Sequence, residues 1–433
     1  MKTLLILTTL DVPGRRNNRE HAALRELAPR FDRTIVVFRQ RAAAGKPALA
    51  LLQGRITRRD DAAVTFVAVD PPLNPPEGAV RGATTQRPSA NLLTRLAGQG
   101  LDTLAILRDR LTIAALSHAA AQALAGLDPA DITCEAFGPW AAEAARHLRR
   151  QGRLAAYAYI DRDFEPGFVS SPLRRRWVTR MEARAARTAD LTLSIGQRLA
   201  ARHTGTSRHH PVLSPTGVDV GFFTAPQRPP GPLHIVYVGE VAPWSALDLL
   251  IAALQHPGLS QARLSLRGPA LPGYRSQLLG LVASSGLGAR FDWPGDVDRS
   301  EIPPLLAQAN LGYCLFRPTP LRCHAAPLKL LEYFAAGLPA IAAPGSEAGD
   351  LVARSGAGLL CAPTSAALAD ALIGFEATPA ATRDRMADAA HATALAHDWR
   401  DIFAREAVLL AGLGNARATG SAVPASQTYG VRP

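Results

Sequence analysis

Residues 327–339 read Pro327-Leu-Lys-Leu-Leu-Glu-Tyr-Phe-Ala-Ala-Gly-Leu-Pro339, a pattern that predicts a short helix. Proline suits the first helical position because it has no N–H to lose there. A glycine followed two residues later by a proline marks the end of the helix. The spacing of Leu330, Leu331 and Phe334 gives the helix one apolar face.

The lysine of this helix, Lys329, lies in the first turn, where the partial positive charge of a helix N-terminus opposes a cation. A bound anion removes this conflict, because the free backbone N–H groups and the lysine then point at the same phosphate. Glu332 follows one turn later and is suited to accept hydrogen bonds from a ribose diol. Together they predict a nucleotide site. The alternative is an ordinary surface ion pair between Lys329 and Glu332, which share a helix face.

The composition predicts a globular protein of two domains with an excess of positive charge. A chain of 433 residues is too long for one ordinary core, and 47% hydrophobic with 19% charged residues is typical of globular proteins. The net charge of +12 indicates an anionic partner. Nucleic acid is not predicted, because the basic residues are spread out and are not interleaved with aromatic residues.

The cysteines and the hydropathy predict a cytoplasmic protein. The four cysteines show no Cys-x-x-Cys spacing, so neither zinc nor a disulfide framework is expected. No run of 18 apolar residues occurs, so no membrane-spanning segment is predicted. The apolar start is interpreted as a first buried strand, Leu4–Thr9, because no cleavage site follows it.

Apolar runs alternate with helical stretches along the chain, which predicts an α/β fold with parallel sheets covered on both faces. One such series starts at Leu4 and a second at His234, after the proline-rich residues 226–232. Between the third strand and the next helix, residues 71–100 are rich in proline and glycine and predict a flexible loop or a functional lid.

The C-terminal half resembles the nucleotide-sugar site of family-four glycosyltransferases. Residues 356–363, Gly-Ala-Gly-Leu-Leu-Cys-Ala-Pro, are similar to the family's G-x-G-L-L-v-x-P segment. Residues 212–223, Val-Leu-Ser-Pro-Thr-Gly-Val-Asp-Val-Gly-Phe-Phe, are similar to its v-l-P-N-G-V-D-x-x-x-F segment, where the chain passes between domains. The resemblance implies the GT-B architecture, in which two Rossmann-like α/β domains face each other across a cleft.

This resemblance implies a division of the chain into four parts. They are an N-terminal acceptor domain over 1–215, a C-terminal nucleotide-sugar domain over 216–395, a helix over 396–412 that crosses back to the first domain, and a tail over 413–433. The tail is rich in glycine, alanine, serine and proline and is expected to be disordered.

In the donor site, the resemblance implies that Lys329 holds the diphosphate and Glu332 the ribose, with Pro327 and Leu328 at the start of the helix. A second loop, Pro294–Val297, lies where the backbone of relatives pairs with the nucleotide base, which makes Val297 a candidate contact.

The loop after the first strand of the second half departs from the family. Gly239-Glu-Val-Ala-Pro-Trp-Ser is similar to V-G-R-L-x-x-x-K-G, but Glu240 and Ser245 replace the arginine and lysine that hold the diphosphate. A leaving diphosphate needs its charge neutralised in the transition state, so this departure speaks against ordinary catalysis. Lys329, Arg317 and Arg322 are the candidate replacements.

Another departure concerns the reacting sugar. His324 stands eight residues before Glu332, where relatives have a glutamate that contacts the sugar. A histidine is able to donate a hydrogen bond there, and we treat His324 as a candidate catalytic residue. The alternative is an ordinary loop histidine.

In the N-terminal half, Asp161 is the candidate base. It lies in Tyr157-Ala-Tyr-Ile-Asp-Arg-Asp-Phe-Glu165, which resembles the family's Y-D-x-H-D/E strand end, ahead of Asp163. The alternative is a common acidic loop neutralised by Arg162. Gly14 lies where relatives have a glycine-rich turn near the phosphate and the acceptor. Glu135 and Gly138 form a weaker pair at another strand end.

The helix predicted over 172–188 is strongly basic and includes Trp177. It is either a solvated face or a contact with an anionic membrane surface, with the tryptophan as an interfacial anchor.

We therefore predict a cytoplasmic glycosyltransferase that moves a sugar from a nucleotide diphosphate sugar, with UDP favoured, to an acceptor hydroxyl. It is either free in the cytoplasm or peripheral at the inner face of the membrane. The acceptor classes are a glycan, a lipid-linked glycan of polysaccharide biosynthesis, or a small molecule. The family favours retention of configuration over inversion. No metal and no cofactor other than the donor substrate are expected. The alternatives are a degenerate, non-catalytic GT-B protein and a nucleotide-sugar epimerase.

Overall fold

The computed structural model describes residues 2–13, 18–40, 54–73, 92–225 and 231–419, with the backbone alone for 92–101 and 414–419. The chain forms two compact units. The first comprises Met1–Pro215 and Ile402–Pro433, and the second Thr216–Asp401. Each unit is an α/β structure around one sheet.

The described part of the first unit contains eight strands, five complete α-helices and most of a sixth. The strands are β1 (Thr3–Thr8), β2 (Arg33–Arg39), β3 (Arg55–Asp61), β4 (Val64–Asp70), β5 (Ile132–Phe137), β6 (Ala158–Asp161), β7 (Leu191–Ser194) and β8 (Val212–Leu213). The helices are α1 (Arg19–Glu26), α2 (Leu92–Ala123), α3 (Gly138–Arg150), α4 (Pro172–Thr188), α5 (Gln197–His203) and α14 (Trp399–Thr419). The sheet order is β3-β4-β2-β1-β5-β6-β7-β8.

All neighbouring strands of this sheet are parallel except β3, which pairs antiparallel with β4. Strand β3 is not among the predicted strands, because all seven of its residues are exposed and most are charged, so it contains no apolar run. A charged edge strand also discourages pairing with another chain.

Helix α2 is longer than the helix predicted from residue 101. It already begins at Leu92, inside the predicted insertion 71–100, where Gly98 and Gly100 weaken the helical signal. Residues 74–91 of that insertion lie outside the described part of the chain, as do residues 420–433 of the predicted tail. No described helix is both long and apolar enough to cross a membrane.

The described part of the second unit contains six strands, all parallel to their neighbours, and eight α-helices. The strands are β9 (His234–Val238), β10 (Arg263–Arg267), β11 (Phe291–Asp292), β12 (Leu311–Tyr313), β13 (Ala340–Ala342) and β14 (Gly358–Leu360), in the order β11-β10-β9-β12-β13-β14. The helices are α6 (Leu247–Ala253), α7 (Tyr274–Ser284), α8 (Ile302–Gln308), α9 (Pro320–His324), α10 (Leu328–Ala335), α11 (Glu347–Ser355), α12 (Ser365–Glu376) and α13 (Ala380–Leu395).

Each sheet has one point where the strand order reverses, between β1 and β5 in the first unit and between β9 and β12 in the second. Open α/β sheets bind ligands beyond the carboxyl ends of the strands at such points. The topology therefore predicts that the loops after these four strands contain the ligand-binding residues.

The helix predicted from residues 327–339 is α10. Its end is confirmed: Gly337 has a φ of 61°, and the Leu338 N–H donates to the Tyr333 carbonyl at 2.8 Å. Its start differs by one residue, because Pro327 has a ψ of 123° and is the N-cap instead of the first helical residue. An extended ψ leaves proline outside the helix while its carbonyl still accepts the Leu330 N–H.

Gly312 on β12 makes room for α10, and we expect Gly312→Ala to destabilise the second unit by about 2–3 kcal/mol through overpacking. A Cβ at Gly312 lies only 2.3 Å from the Tyr333 ring. The ring cannot retreat easily, because the Tyr333 hydroxyl accepts the Val238 N–H at 2.9 Å. Urea unfolding measures the change.

The matched control is Gly280→Ala, on the exposed side of α7, where a Cβ meets nothing within 4 Å. It is expected to stabilise the unit by about 0.5–1 kcal/mol, because alanine is the better helix former. Equal stability of the two variants would contradict the packing argument.

Candidate functional site

The ammonium group of Lys329 is enclosed by three aromatic rings of the second unit. Its Nζ lies 3.7 Å from the ring centroid of Tyr237, 5.5 Å from that of Phe316 and 5.9 Å from that of Trp244. The ring faces attract a cation. The Nζ is buried and makes no hydrogen bond within the part of the chain that the structure describes. The Lys329 amine thus lies at the β9/β12 switch point and forms no hydrogen bond with a carboxylate of the described residues.

Gly239, immediately after β9, lets the lysine approach the backbone. A Cβ on Gly239 stands 2.8 Å from Lys329 Nζ, and the φ of +120° is itself one that glycine favours. The predicted site residues Gly239 and Lys329 are therefore brought together by the fold.

Burial lowers the pKa of Lys329 to about 7. The nearby Arg322 lowers it further, whereas Cys314, Glu332 and Glu240 act to raise it. The side chain is therefore close to half-protonated at neutral pH, and an anion beside it favours the charged form.

Glu332 lies one turn along α10 from Lys329 and is 8% exposed. Its Oε1 is 4.0 Å from Arg299 Nη2, and the Arg299 guanidinium stacks on the Phe222 ring at 4.4 Å. Glu332, the residue predicted to bind the ribose, is thus mostly buried and lies beside Arg299, which the Phe222 ring holds in place.

The positions that lack the family's cations have structural roles. Ser245 is buried and donates its hydroxyl hydrogen to the Ala242 carbonyl at 2.6 Å. The Glu240 carbonyl accepts from the Tyr237 hydroxyl at 2.6 Å, which fixes one ring of the lysine cage. These two residues hold the loop but supply no positive charge.

Two arginines were candidates to replace those cations. Arg317 forms an ion pair with Asp248 and donates to the Pro243 carbonyl at 3.1 Å. Arg322 lies over the Trp244 ring at 3.6 Å, beside the lysine cage. Of the two, Arg322 is the one whose side chain contacts a ring of the cage.

The remaining donor-site candidates lie in the loops around α10. His324 ends α9, and its Nδ1 lies 2.6 Å from the Pro320 carbonyl oxygen, so Nδ1 carries the hydrogen. Val297 is half-buried and packs against the core of the second unit. Pro327 and Leu328 form the start of α10. Their contacts with a ligand stay predictions. Gly14 lies outside the described residues.

The structure places Asp161, in the first unit, fully inside the molecule. Its carboxylate accepts from the Ser194 hydroxyl at 3.1 Å and the Tyr159 hydroxyl at 3.3 Å, and His203 Nε2 lies 3.3 Å away. It serves an internal polar network. The role of Asp161 as a base toward an acceptor stays a prediction, and its enclosure speaks against direct contact.

Two buried glutamates next to this network have raised pKa values. Burial raises the pKa of Glu165 to about 8 and that of Glu182 to about 7, with Arg162 and Arg202 respectively opposing the shift. The Glu165 N–H donates to Glu182 Oε1 at 3.2 Å. The sequence analysis missed Glu182, although it is the single acidic residue of the basic helix.

A buried cluster around Arg19 connects segments that are far apart in the chain. The Arg19 guanidinium donates to the carbonyl oxygens of Ser214 (3.1 Å) and Pro215 (3.0 Å) and pairs with Glu406 on α14. Glu135 is fully buried beside Glu406, and burial followed by the Glu406 charge raises the pKa of Glu135 well above its usual value. Glu135 therefore belongs to the interior, where its neutral form is favoured.

One family model and several solved structures are similar to this chain. Residues 222–393 match the family model of glycosyl transferases group 1. No curated protein sequence matches the chain. Sucrose-phosphate synthase from Thermosynechococcus elongatus has a similar structure, with a TM-score of 0.71 at 17% identity, over 96% of this chain and 100% of that one.

Two further structures show the same likeness. Anabaena HepE in complex with UDP has a TM-score of 0.65 at 20% identity, over 95% of this chain and 100% of that one. The UDP-forming α,α-trehalose-phosphate synthase from Burkholderia xenovorans has a TM-score of 0.66 at 14% identity, over 94% and 100%. The predicted fold class is confirmed: residues 222–393 match the model of glycosyl transferases group 1, and the chain has the two-Rossmann-domain (GT-B) fold of these similar structures.

Proposed function

We propose that the protein is a glycosyltransferase that takes a sugar from a UDP-linked donor and transfers it to an acceptor hydroxyl. The observation that carries the proposal is the buried ammonium of Lys329, held by three aromatic rings and with no hydrogen bond to any described residue. An isolated buried charge is costly, so a site of this kind is expected where a ligand of opposite charge completes it.

In this proposal different residues of the second unit bind different parts of the donor. Lys329 neutralises the charge that develops on the leaving diphosphate, which is the largest electrostatic demand of the reaction. Glu332 accepts hydrogen bonds from the ribose hydroxyls, and the backbone near Val297 contacts the base. His324 lies before α10, where it orients the transferred sugar.

Support for UDP comes from the structural neighbours. HepE was solved with UDP and with UDP-glucose, and the trehalose-phosphate synthase is described as UDP-forming. We further propose retention of configuration, and the inner membrane face as the place of action, with the exposed arginines of α4 toward anionic lipid. The acceptor is then a glycan, a lipid-linked glycan or a small molecule.

A second candidate is a protein that binds the nucleotide without turnover. The observation in its favour is that Glu240 and Ser245 supply no cation to the diphosphate. Incubation with UDP-glucose separates the two candidates, because a transferase releases UDP, at least slowly to water, whereas a binding protein returns the donor intact.

Glu332→Ala tests the donor site. At 100 times its dissociation constant a ligand adds about 2.7 kcal/mol to the unfolding free energy. For a unit of this size we expect UDP to raise the unfolding midpoint of the wild type by roughly 5–10 °C. Glu332→Ala loses the charged hydrogen bonds to the ribose, and we expect its affinity for UDP to be about 10- to 100-fold lower than that of the wild type.

The matched control is Glu376→Ala, an exposed glutamate at the end of α12, which should respond to UDP as the wild type does. The proposal fails if no nucleotide shifts the wild-type midpoint, or if Glu332→Ala binds UDP as tightly as the control.

A further inference from the structure

Two positively charged side chains of the second unit lie against the same aromatic rings. The guanidinium carbon of Arg322 lies 3.6 Å from the ring centroid of Trp244 and 6.0 Å from that of Phe316. The Nζ of Lys329 lies 5.9 Å and 5.5 Å from the same two centroids. The fold therefore holds a guanidinium and an ammonium close together, although like charges repel each other.

Trp244 is fixed by the loop after β12. Its carbonyl oxygen accepts the backbone N–H of Arg317 at 3.0 Å, and the Arg317 guanidinium donates to the neighbouring Pro243 carbonyl at 3.1 Å. The Trp244 ring meets the Phe316 ring edge to face, with centroids 5.5 Å apart. Arg317 is thus occupied in joining the two loops, and Trp244 presents a fixed ring to Arg322.

Arg322 is held both at its backbone and at its side chain. Thr319 caps α9, and its hydroxyl oxygen accepts the backbone N–H of Arg322 at 3.2 Å. At 3.6 Å from the Trp244 centroid the guanidinium lies against the face of the ring, because an end-on approach would push a nitrogen into it. In this orientation its N–H groups point along the plane of the guanidinium, the geometry that pairs with phosphate oxygens.

The loop that holds Arg322 is the one that lacks the family's cations. Trp244 stands immediately before Ser245, and residues 239–245 contain no lysine or arginine. This loop follows β9, at the switch point where open α/β sheets bind ligands. A positive charge from α9 is thus placed beside a loop whose own residues supply none.

We propose that Arg322 is a second cation of the donor site and contacts the diphosphate together with Lys329, with Trp244 as the residue that positions it. This inference rests on the transferase function proposed above.

The proposed contact acts on the charge that the reaction creates. During transfer, the bond between the anomeric carbon and the diphosphate oxygen breaks, and its electron pair stays on the diphosphate. The acceptor oxygen forms the new bond to the anomeric carbon and releases its proton to the solvent. The two cations repel each other in the free protein, and both are opposed by a leaving group whose negative charge increases during this step.

Calorimetric titration with UDP and with uridine measures the contribution of Arg322 to diphosphate binding. Arg322→Gln should weaken UDP binding by about tenfold or more, through loss of a charged hydrogen bond, and leave uridine binding within about twofold of the wild type. Arg322→Lys keeps the positive charge and should bind UDP more tightly than Arg322→Gln. The matched control is Arg263→Gln, which removes an exposed arginine from the amino end of β10 and should bind UDP as the wild type does.

A double-mutant cycle tests the role of Trp244. Trp244→Leu removes the ring face and should weaken UDP binding by about tenfold, whereas Trp244→Phe keeps a ring and should bind UDP within about threefold of the wild type. Trp244→Leu combined with Arg322→Gln should bind UDP nearly as well as Arg322→Gln alone, because Trp244 acts through Arg322. Additive losses would show that Trp244 does not position Arg322.

Release of UDP from UDP-glucose measures the effect on the reaction itself. Removing one group that stabilises transition-state charge lowers kcat by about 100-fold or more, and we expect this loss in Arg322→Gln. Arg263→Gln should keep the wild-type rate.

Failure of this inference is distinguishable from failure of the transferase function. If the wild type does not bind UDP, or returns UDP-glucose intact, the transferase function fails and the role of Arg322 in transfer fails with it. If the wild type binds and releases UDP while Arg322→Gln matches Arg263→Gln in both measurements, only the assignment of Arg322 is overturned. An equal loss of uridine and UDP binding in Arg322→Gln would also overturn it, because such a loss indicates a folding defect instead of a missing phosphate contact.

Discussion

Lys329→Met is expected to weaken UDP-glucose binding by about 100-fold and, in the same protein, to raise the midpoint of thermal unfolding. The affinity falls because a buried cation facing the diphosphate contributes about 2–4 kcal/mol. The stability rises because the free protein no longer encloses an ammonium that has no hydrogen bond to any described residue. Most substitutions at buried positions destabilise, so the opposite signs of the two effects are the distinctive result.

The pH dependence of both effects follows from the lowered pKa of about 7. Between this value and the ordinary lysine pKa, the unfolded chain holds a proton that the folded protein lacks, so stability rises with pH in that window. Bound diphosphate raises the pKa again, so UDP-glucose binding takes up a proton above pH 7 and weakens as pH increases. Both trends should disappear in Lys329→Met.

Calorimetry in two buffers of different ionisation enthalpy measures the proton uptake, and differential scanning fluorimetry measures the midpoint. Uridine, which lacks phosphate, is the matched ligand and should bind the variant and the wild type equally. If Lys329→Met binds UDP-glucose within threefold of the wild type, Lys329 does not contact the diphosphate.

Arg19→Met is expected to destabilise the first unit by about 3–5 kcal/mol, because it leaves Glu406 as an uncompensated buried charge. The guanidinium donates to the Ser214 hydroxyl at 2.6 Å as well as to Glu406, and stacks on the Phe403 ring at 5.2 Å. Glu135 lies beside Glu406, so without the arginine two carboxyl groups face each other inside the unit.

Urea unfolding combined with hydrogen exchange of β1 and β5 assigns the loss to the first unit. Arg25→Met, on the same helix but with a side chain 48% exposed, is the control and should change the unfolding free energy by less than about 0.5 kcal/mol. The double variant Arg19→Met/Glu406→Leu should recover part of the loss, since both charges are then gone. A loss in Arg19→Met no greater than in Arg25→Met would falsify this account.

Local signals in the sequence were enough to predict the two α/β units and the helix that contains Lys329 and Glu332. The apolar face of α10 and its glycine end depend on residues within one or two turns, so their physical cause is contained in the segment itself. The same reasoning marked Lys329 as misplaced in a first turn. It failed for β3, whose exposed, charged residues form a strand only because β4 pairs with them.

What only the tertiary structure decided is which distant residues meet. The cage of Lys329 takes Tyr237 from β9, Trp244 from the following loop and Phe316 from the loop after β12. Arg19 and Glu406 are 387 positions apart in the chain. Such contacts are set by sheet order and packing, and the burial they create shifts the pKa values of Lys329 and Glu135. The spacing of residues in the sequence predicts neither these contacts nor these pKa shifts. Desolvation depends on all the groups that surround a side chain in space and not only on its neighbours along the chain.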